Sequence, residues 1–168
     1  MKKIITLLAI AGLLTLQSCT TSGSFENDLI PVAKSEVFEV TTSFNYTNNY
    51  SRLITLNPPI YSSDIVLVYR LTGITPQGSD IWKLLPETHY FADGTLDFGY
   101  DYDYSSTDVS VFMVGNNLQT VSTNYRLNQV LRIVITPASF SKAIDKNNIN
   151  AVMSALNVDK NQIQKIDL

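Results

Sequence analysis

The chain has 168 residues, 45% of them apolar, 16% charged and 10% aromatic, with Lys+Arg 12 against Asp+Glu 15 and a net charge of -3. Charge below the roughly 25% of an average domain, beside near-average apolar content, argues against a disordered or fibrous chain and for one folded domain with an uncharged polar surface. A pI near 5.0 without any Lys/Arg run argues against nucleic acid as a partner, because phosphate binding rests on clustered cations.

Lys2 and Lys3 precede an uncharged, mostly apolar run from Ile4 to Leu16, the anatomy of a signal peptide. Such a run covers roughly 20 Å as a helix, short of the ~30 Å hydrocarbon core, so a permanent membrane span is the weaker reading. The run ends at Leu16-Gln17-Ser18-Cys19. This string resembles the lipobox of bacterial lipoproteins, with an aliphatic residue three before the chain's single cysteine and a small residue just before it; Gln17 departs from the usual Ser, Ala or Thr.

The resemblance implies a signal peptide over residues 1–18, a mature chain beginning at a lipidated Cys19 with palmitate among its acyl chains, and attachment to a membrane. Thr20 stands where an Asp commonly retains lipoproteins in the inner membrane, which by the same resemblance favours the outer membrane. The first acidic residues after Cys19 are Glu26 and Asp28, late for a surface-export signal, so a periplasm-facing position is preferred to the cell surface. Residues 19–34 show no apolar period and read as a flexible tether averaging about 20 Å. Two or more acyl chains hold a protein essentially permanently, and with Cys19 acylated no thiol is left for a disulfide.

Residues 35–168 read as the folded domain. Phe38, Val40, Thr42, Phe44 and Tyr46 alternate with Glu39, Thr41, Ser43 and Asn45, the period of 2 of a half-buried strand. Thr47-Asn48-Asn49 is turn chemistry, and Tyr50 to Leu56 resumes as a strand, so these two segments are expected to pair as a hairpin. Asn57-Pro58-Pro59 ends the second strand. Asp64 to Leu71 is a nearly continuous apolar run, expected to be a central strand covered on both faces. A loop over Thr72 to Asp80 leads to short strands at Ile81 to Leu85 and His89 to Phe91, followed by the turn Ala92-Asp93-Gly94.

Thr95 to Tyr104 places Leu96, Phe98, Tyr100, Tyr102 and Tyr104 on one face and Asp97, Gly99, Asp101 and Asp103 on the other. Val109 to Val114 and Val130 to Thr136 complete a set of seven or eight strands, which predicts a mainly β, antiparallel β-sandwich. In Asn148 to Leu156 the period changes: Ile149, Val152, Met153 and Leu156 share one face of a short helix with Asn147 or Asn148 as N-cap, too short to stand without the sandwich. Val158, Ile163, Ile166 and Leu168 form a last element expected to dock. Asp64 to Leu71, Arg132 to Pro137 and Asp145 to Leu168 resemble a set of uncharacterised Bacteroidota lipoproteins, some with collagen-like spacers. That resemblance implies a membrane-attached domain and carries over no catalytic residue.

Asp93, Asp97, Asp101, Asp103 and Asp108 fall within one short stretch, yet carboxylates two apart on a strand sit about 6.6 Å from each other, so a solvated face is preferred to a Ca²⁺ site. Trp82, Asp101, Tyr102, Asp103 and Tyr104 are the candidate ligand-binding residues, since aromatic faces beside carboxylates suit sugar rings. Packing of Leu96, Phe98 and Tyr100 into the core is the plainer account of the aromatic face, and Trp82 itself reads as core sooner than as a binding edge. His89 is the single histidine, so a multi-histidine zinc site cannot be assembled, and it reads as a polar loop or edge-strand residue. No P-loop, dinucleotide fingerprint or nucleophile elbow is present, and no cofactor or catalytic residue is assigned. Two readings follow: a non-enzymatic, lipid-anchored interaction or structural module for an envelope protein or glycan, and a carbohydrate-binding or hydrolytic surface protein using the Asp93–Asp108 strand.

Overall fold

Period-2 alternation becomes two facing sheets. The computed structural model describes residues 35–142 and 144–168. Cys19 and the segments expected to be a signal peptide and a tether lie outside the described residues. Among the described residues there are nine strands: β1 (Glu36–Thr42), β2 (Ser51–Thr55), β3 (Asp64–Ile74), β4 (Asp80–Leu84), β5 (Glu87–Tyr90), β6 (Leu96–Tyr104), β7 (Asp108–Gly115), β8 (Gln129–Pro137) and β9 (Gln164–Asp167). One sheet has the order β4-β3-β8-β1-β9 and the other β2-β7-β6-β5. The pairs are antiparallel except for β9, which lies parallel to β1 with Phe38 opposite Gln164. The chain is thus the expected mainly β sandwich, with one strand more than the pattern counted.

Between the sheets, Val66 and Val68 of β3, Leu131, Ile133 and Ile135 of β8, and Phe38 and Val40 of β1 meet Phe98 and Tyr100 of β6 and Val109, Val111 and Met113 of β7. The outer face of the five-stranded sheet is covered as well. Ile149, Val152 and Met153 of helix α2 (Ile149–Ala155) pack with Ile163 on Leu67, Tyr69 and Val134. This second layer explains why β3 reads as a nearly continuous apolar run: both of its faces are inside. Asn148 caps the helix, its Oδ1 accepting from Ala151 N–H. The last strand then docks at the sheet edge, as the apolar ending predicts.

The expected hairpin of the first two strands does not form. β1 pairs with β8 and β9, whereas β2 pairs with β7 of the opposite sheet. The turn residues at Asn45–Tyr50 carry the chain from one sheet to the other. Asn45 Oδ1 accepts from Thr47 and Asn48 N–H, Asn48 bonds back to Asn45 N–H, and Asn49 and Tyr50 take the left-handed conformation. Phe44 keeps its place in the alternation because it still points into the core beyond the end of β1. The expected loop at Thr72 is also shorter than read: β3 continues to Ile74, with Leu71 opposite Trp82 and a register shift before Gly73.

The register fixes two unlike ends. Glu36 lies opposite Ile135, and Ile135 opposite Val66, so the chain joins the sandwich at Ser35 beside the start of β3. Thr42 lies opposite Gln129, and Arg70 opposite Leu131, so the opposite end holds the close of β3, the start of β8 and the short helix α1 (Thr123–Arg126).

Candidate functional site

At the end remote from Ser35 a polar group is built into the core. Arg70, an inward-facing position of β3, crosses to the other sheet. Its Nε donates to Glu87 Oε2 at 2.8 Å and its Nη2 to Glu87 Oε1 at 2.7 Å. Nη1 donates to Gln129 Oε1 at 3.0 Å, and the guanidinium lies over the Tyr100 ring, 4.7 Å from its centre. Arg70, Glu87 and Gln129 are all buried. A buried carboxylate and cation persist only when each satisfies the other, and here both prongs are in place.

His89 extends the group toward solvent. Its Nε2 lies 2.8 Å from Glu87 Oε1, and its ring stacks on Phe98 at 4.3 Å between centroids. Tyr125 of α1 packs its ring 5.1 Å from both Phe98 and His89. Burial by itself pushes the Glu87 carboxyl up, but the Arg70 hydrogen bonds and charge, with the His89 contact, outweigh it and hold the group below its ordinary value. Burial pushes the Tyr100 phenol up, so it remains a neutral donor, and its hydroxyl donates to Tyr125 O.

These bonds fix α1. Gln129 Nε2 donates to Asn124 O at 2.9 Å and to Leu127 O at 2.7 Å, and Arg126 O accepts from Phe44 N–H at 2.7 Å. Between α1 and the close of β3 lies a cleft of about 420 Å³, lined by Leu71, Thr72, Ile74, Asn124, Tyr125, Asn128 and Val130 together with the buried Arg70 and Gln129. Gly99 keeps β5 close: a Cβ there would sit 2.7 Å from Glu87 O, so only glycine lets the strand bearing Glu87 and His89 approach β6 at this point.

The residues singled out from the sequence are not brought together. Trp82 belongs to the outer face of the five-stranded sheet, where its ring lies 4.0 Å from the Arg132 guanidinium and its indole N–H finds no acceptor among the described residues. Beneath it one row crosses all five strands: Leu84, Tyr69, Arg132, Glu39 and Lys165. Arg132 Nε donates to Glu39 Oε1 at 3.1 Å, and Lys165 Nζ lies 3.6 Å from Glu39 Oε2.

Asp101, Tyr102, Asp103 and Tyr104 belong to β6 in the other sheet. Tyr102 is half-buried against the core, with its hydroxyl donating to Val66 O at 3.0 Å, and its ring stacks 6.5 Å from the exposed Tyr104. Asp101 accepts from Tyr102 N–H, and Asp103 is exposed. Asp93 accepts from the Thr95 N–H and hydroxyl, and Asp108 accepts from Ser105 and Thr107 hydroxyls, so both serve turns. Among the described residues no three His, Cys, Asp or Glu side chains converge as a metal site.

The sequence does not assemble the Arg70–Glu87–His89 group, although His89 does lie on an edge strand, β5, as expected. The signal that points to it is Arg70 itself: a cation at an inward position of a doubly covered strand requires a buried acid. No protein family, curated protein or solved structure matches this chain.

Proposed function

We propose that the protein is a lipid-anchored envelope lipoprotein whose β-sandwich serves as a non-enzymatic interaction module. The Lys2–Lys3 start, the apolar run to Leu16 and Leu16-Gln17-Ser18-Cys19 support the anchor. The observation that carries the module is the separation of the two ends. A chain arriving from Cys19 reaches the sheets at Ser35, and the cleft with its exposed Tyr125 and Ile74 opens at the other end. The six steps from Glu36 to Thr42 of β1, at about 3.3 Å each, part the two ends by about 20 Å.

A non-enzymatic role is favoured by the state of Glu87. It is the carboxylate in contact with the imidazole, and its side chain is 2% exposed with both oxygens bonded to Arg70, so burial keeps it from a substrate. The alternative, a sugar-binding or hydrolytic face on Asp93–Asp108, has less support, since Tyr102 is tied to Val66 O and two of the carboxylates hold turns. By resemblance the anchor belongs in the outer membrane, facing the periplasm. The intact mass of the protein taken from its own membranes tests the reading: a chain beginning at Cys19 and carrying acylglycerol is expected, and an unmodified mass contradicts it.

A further inference from the structure

We propose that the cleft between α1 and the close of β3 binds a neutral saccharide. The inference deepens the interaction-module half of the reading above by naming the ligand class, and it stands or falls apart from the anchor. Three observations carry it.

The first is the chemistry of the lining. Asn124 and Asn128 present two amides, Thr72 a hydroxyl that donates to Ile81 O and keeps its lone pairs, Tyr125, 39% exposed, a phenol ring, and Leu71, Ile74 and Val130 aliphatic surface. The one charged residue at the cleft is Arg70, and its charge is matched by Glu87 inside the core. A charged ligand entering here meets no free counter-charge. A hydrocarbon covers amides that then lose their water, at about 1–3 kcal/mol for each unpaired group. A sugar ring offers hydroxyls to the amides and a C–H face to the aromatic ring and to the aliphatic side chains of Leu71, Ile74 and Val130, which matches the polar and the apolar parts of the lining.

The second is rigidity. The Tyr125 ring rests against Phe98 and His89, and the backbone that bears Asn124 and Tyr125 is held by Gln129 and by the Tyr100 hydroxyl. Asn128 is fixed by its own left-handed conformation and by its N–H donating to Ser43 Oγ at 3.0 Å. Weak hydroxyl–amide contacts give useful affinity only when the protein groups are ordered before the ligand arrives, and the buried Arg70 group supplies that order. The third is size, since about 420 Å³ falls among small-ligand sites, which run from about 300 to 1,000 Å³.

The test uses the full chain, ¹⁵N-labelled, in a detergent without a sugar headgroup, titrated with maltotetraose, cellotetraose, laminaritetraose and mannotetraose to about 10 mM, a range that registers even millimolar binding. At least one is expected to shift the side-chain amides of Asn124 and Asn128. The double variant Asn124→Ala/Asn128→Gly suits the local backbone, a helical turn and a left-handed residue, and keeps the fold. It is expected to weaken that binding at least about tenfold with an unchanged thermal midpoint. Tyr125→Ala is expected to abolish the binding. No shift with any of the four saccharides, or equal binding by the double variant, overturns the proposal while leaving the membrane anchor untouched.

Discussion

Arg70 of β3 and Glu87 of β5 close a two-pronged ion pair across the gap between the two sheets, at 2.8 and 2.7 Å. Removing one member strands the other charge in the core, which costs about 3–5 kcal/mol, whereas replacing both with apolar residues costs less. Glu87→Leu and Arg70→Met are therefore each expected to lower unfolding stability by several kcal/mol. The double variant should lose much less than the sum of the two single losses, with urea denaturation of all four proteins as the measurement. Additive losses contradict the pairing.

The same pair sets an acid limit. The Glu87 carboxyl is held below its ordinary value of 4.5, so its contribution is complete above that pH and is lost as pH falls through the lower folded value. Stability is expected to be level in this respect above about pH 5 and to drop below the ordinary value. In Glu87→Gln the part of the acid slope due to this residue disappears, which equilibrium unfolding at a series of pH values detects. An identical slope in the variant removes Glu87 from the account.

Helix α2 is part of the core. Ile149, Val152 and Met153 are buried on Leu67, Tyr69 and Val134, and Tyr69 Oη donates to Lys146 O at 2.6 Å. Ile149→Ala or Met153→Ala should each cost about 2–5 kcal/mol in chemical denaturation. Truncation before Asn147 removes the helix and β9 together, uncovers the outer sheet face, and is expected to give aggregation or degradation. A soluble truncated chain with an unchanged thermal midpoint makes the helix an appendage.

Val66 and Asp101 differ sharply in their surroundings. Val66→Asp places an unpaired charge among residues almost without exposure, a cost of several kcal/mol against a total of about 5–15, and should unfold the domain. Asp101→Asn retains an oxygen for Tyr102 N–H on a solvated face and should shift stability by less than about 0.5 kcal/mol. A large loss in Asp101→Asn, matched by one on adding a chelator to the wild type, revives a Ca²⁺ site on β6.

Gly99→Val tests whether β5 must press on β6. A Cβ there meets Glu87 O at 2.7 Å and the Val114 side chain at 3.2 Å, so the strand carrying Glu87 and His89 has to move. The expected result is lost protection of the β5 amides in hydrogen exchange, while β1 and β8 keep theirs. Unchanged β5 protection contradicts the close approach.

Much of the sandwich is legible in the residues. β3 announces itself as a continuous apolar run because both faces are inside, and β6 by strict alternation because one face is wet. Alternation, though, tells which face a residue takes and not which strand lies beside it. That is why Phe38–Tyr46 and Tyr50–Leu56 read as a hairpin when each joins a different sheet. The polar site was harder still, since Pro86-Glu87-Thr88 falls between the two expected short strands, Ile81 to Leu85 and His89 to Phe91, and nothing local marks Glu87 as buried. Its burial depends on Arg70, 17 residues earlier, and on Gln129, 59 residues after Arg70. Trp82 was read as core sooner than as a binding edge, and its place over Arg132 is a partly buried contact on the outer sheet face.

The anchor is the claim on which the proposed role depends, and membrane partition of Cys19→Ala reads it directly. With the wild type in the detergent phase of a membrane extract, the variant is expected in the aqueous phase, because on the proposed reading the acyl chains on Cys19 are the mature chain's hydrophobic anchor. Retention of Cys19→Ala in the detergent phase, at the level of the wild type, contradicts the account.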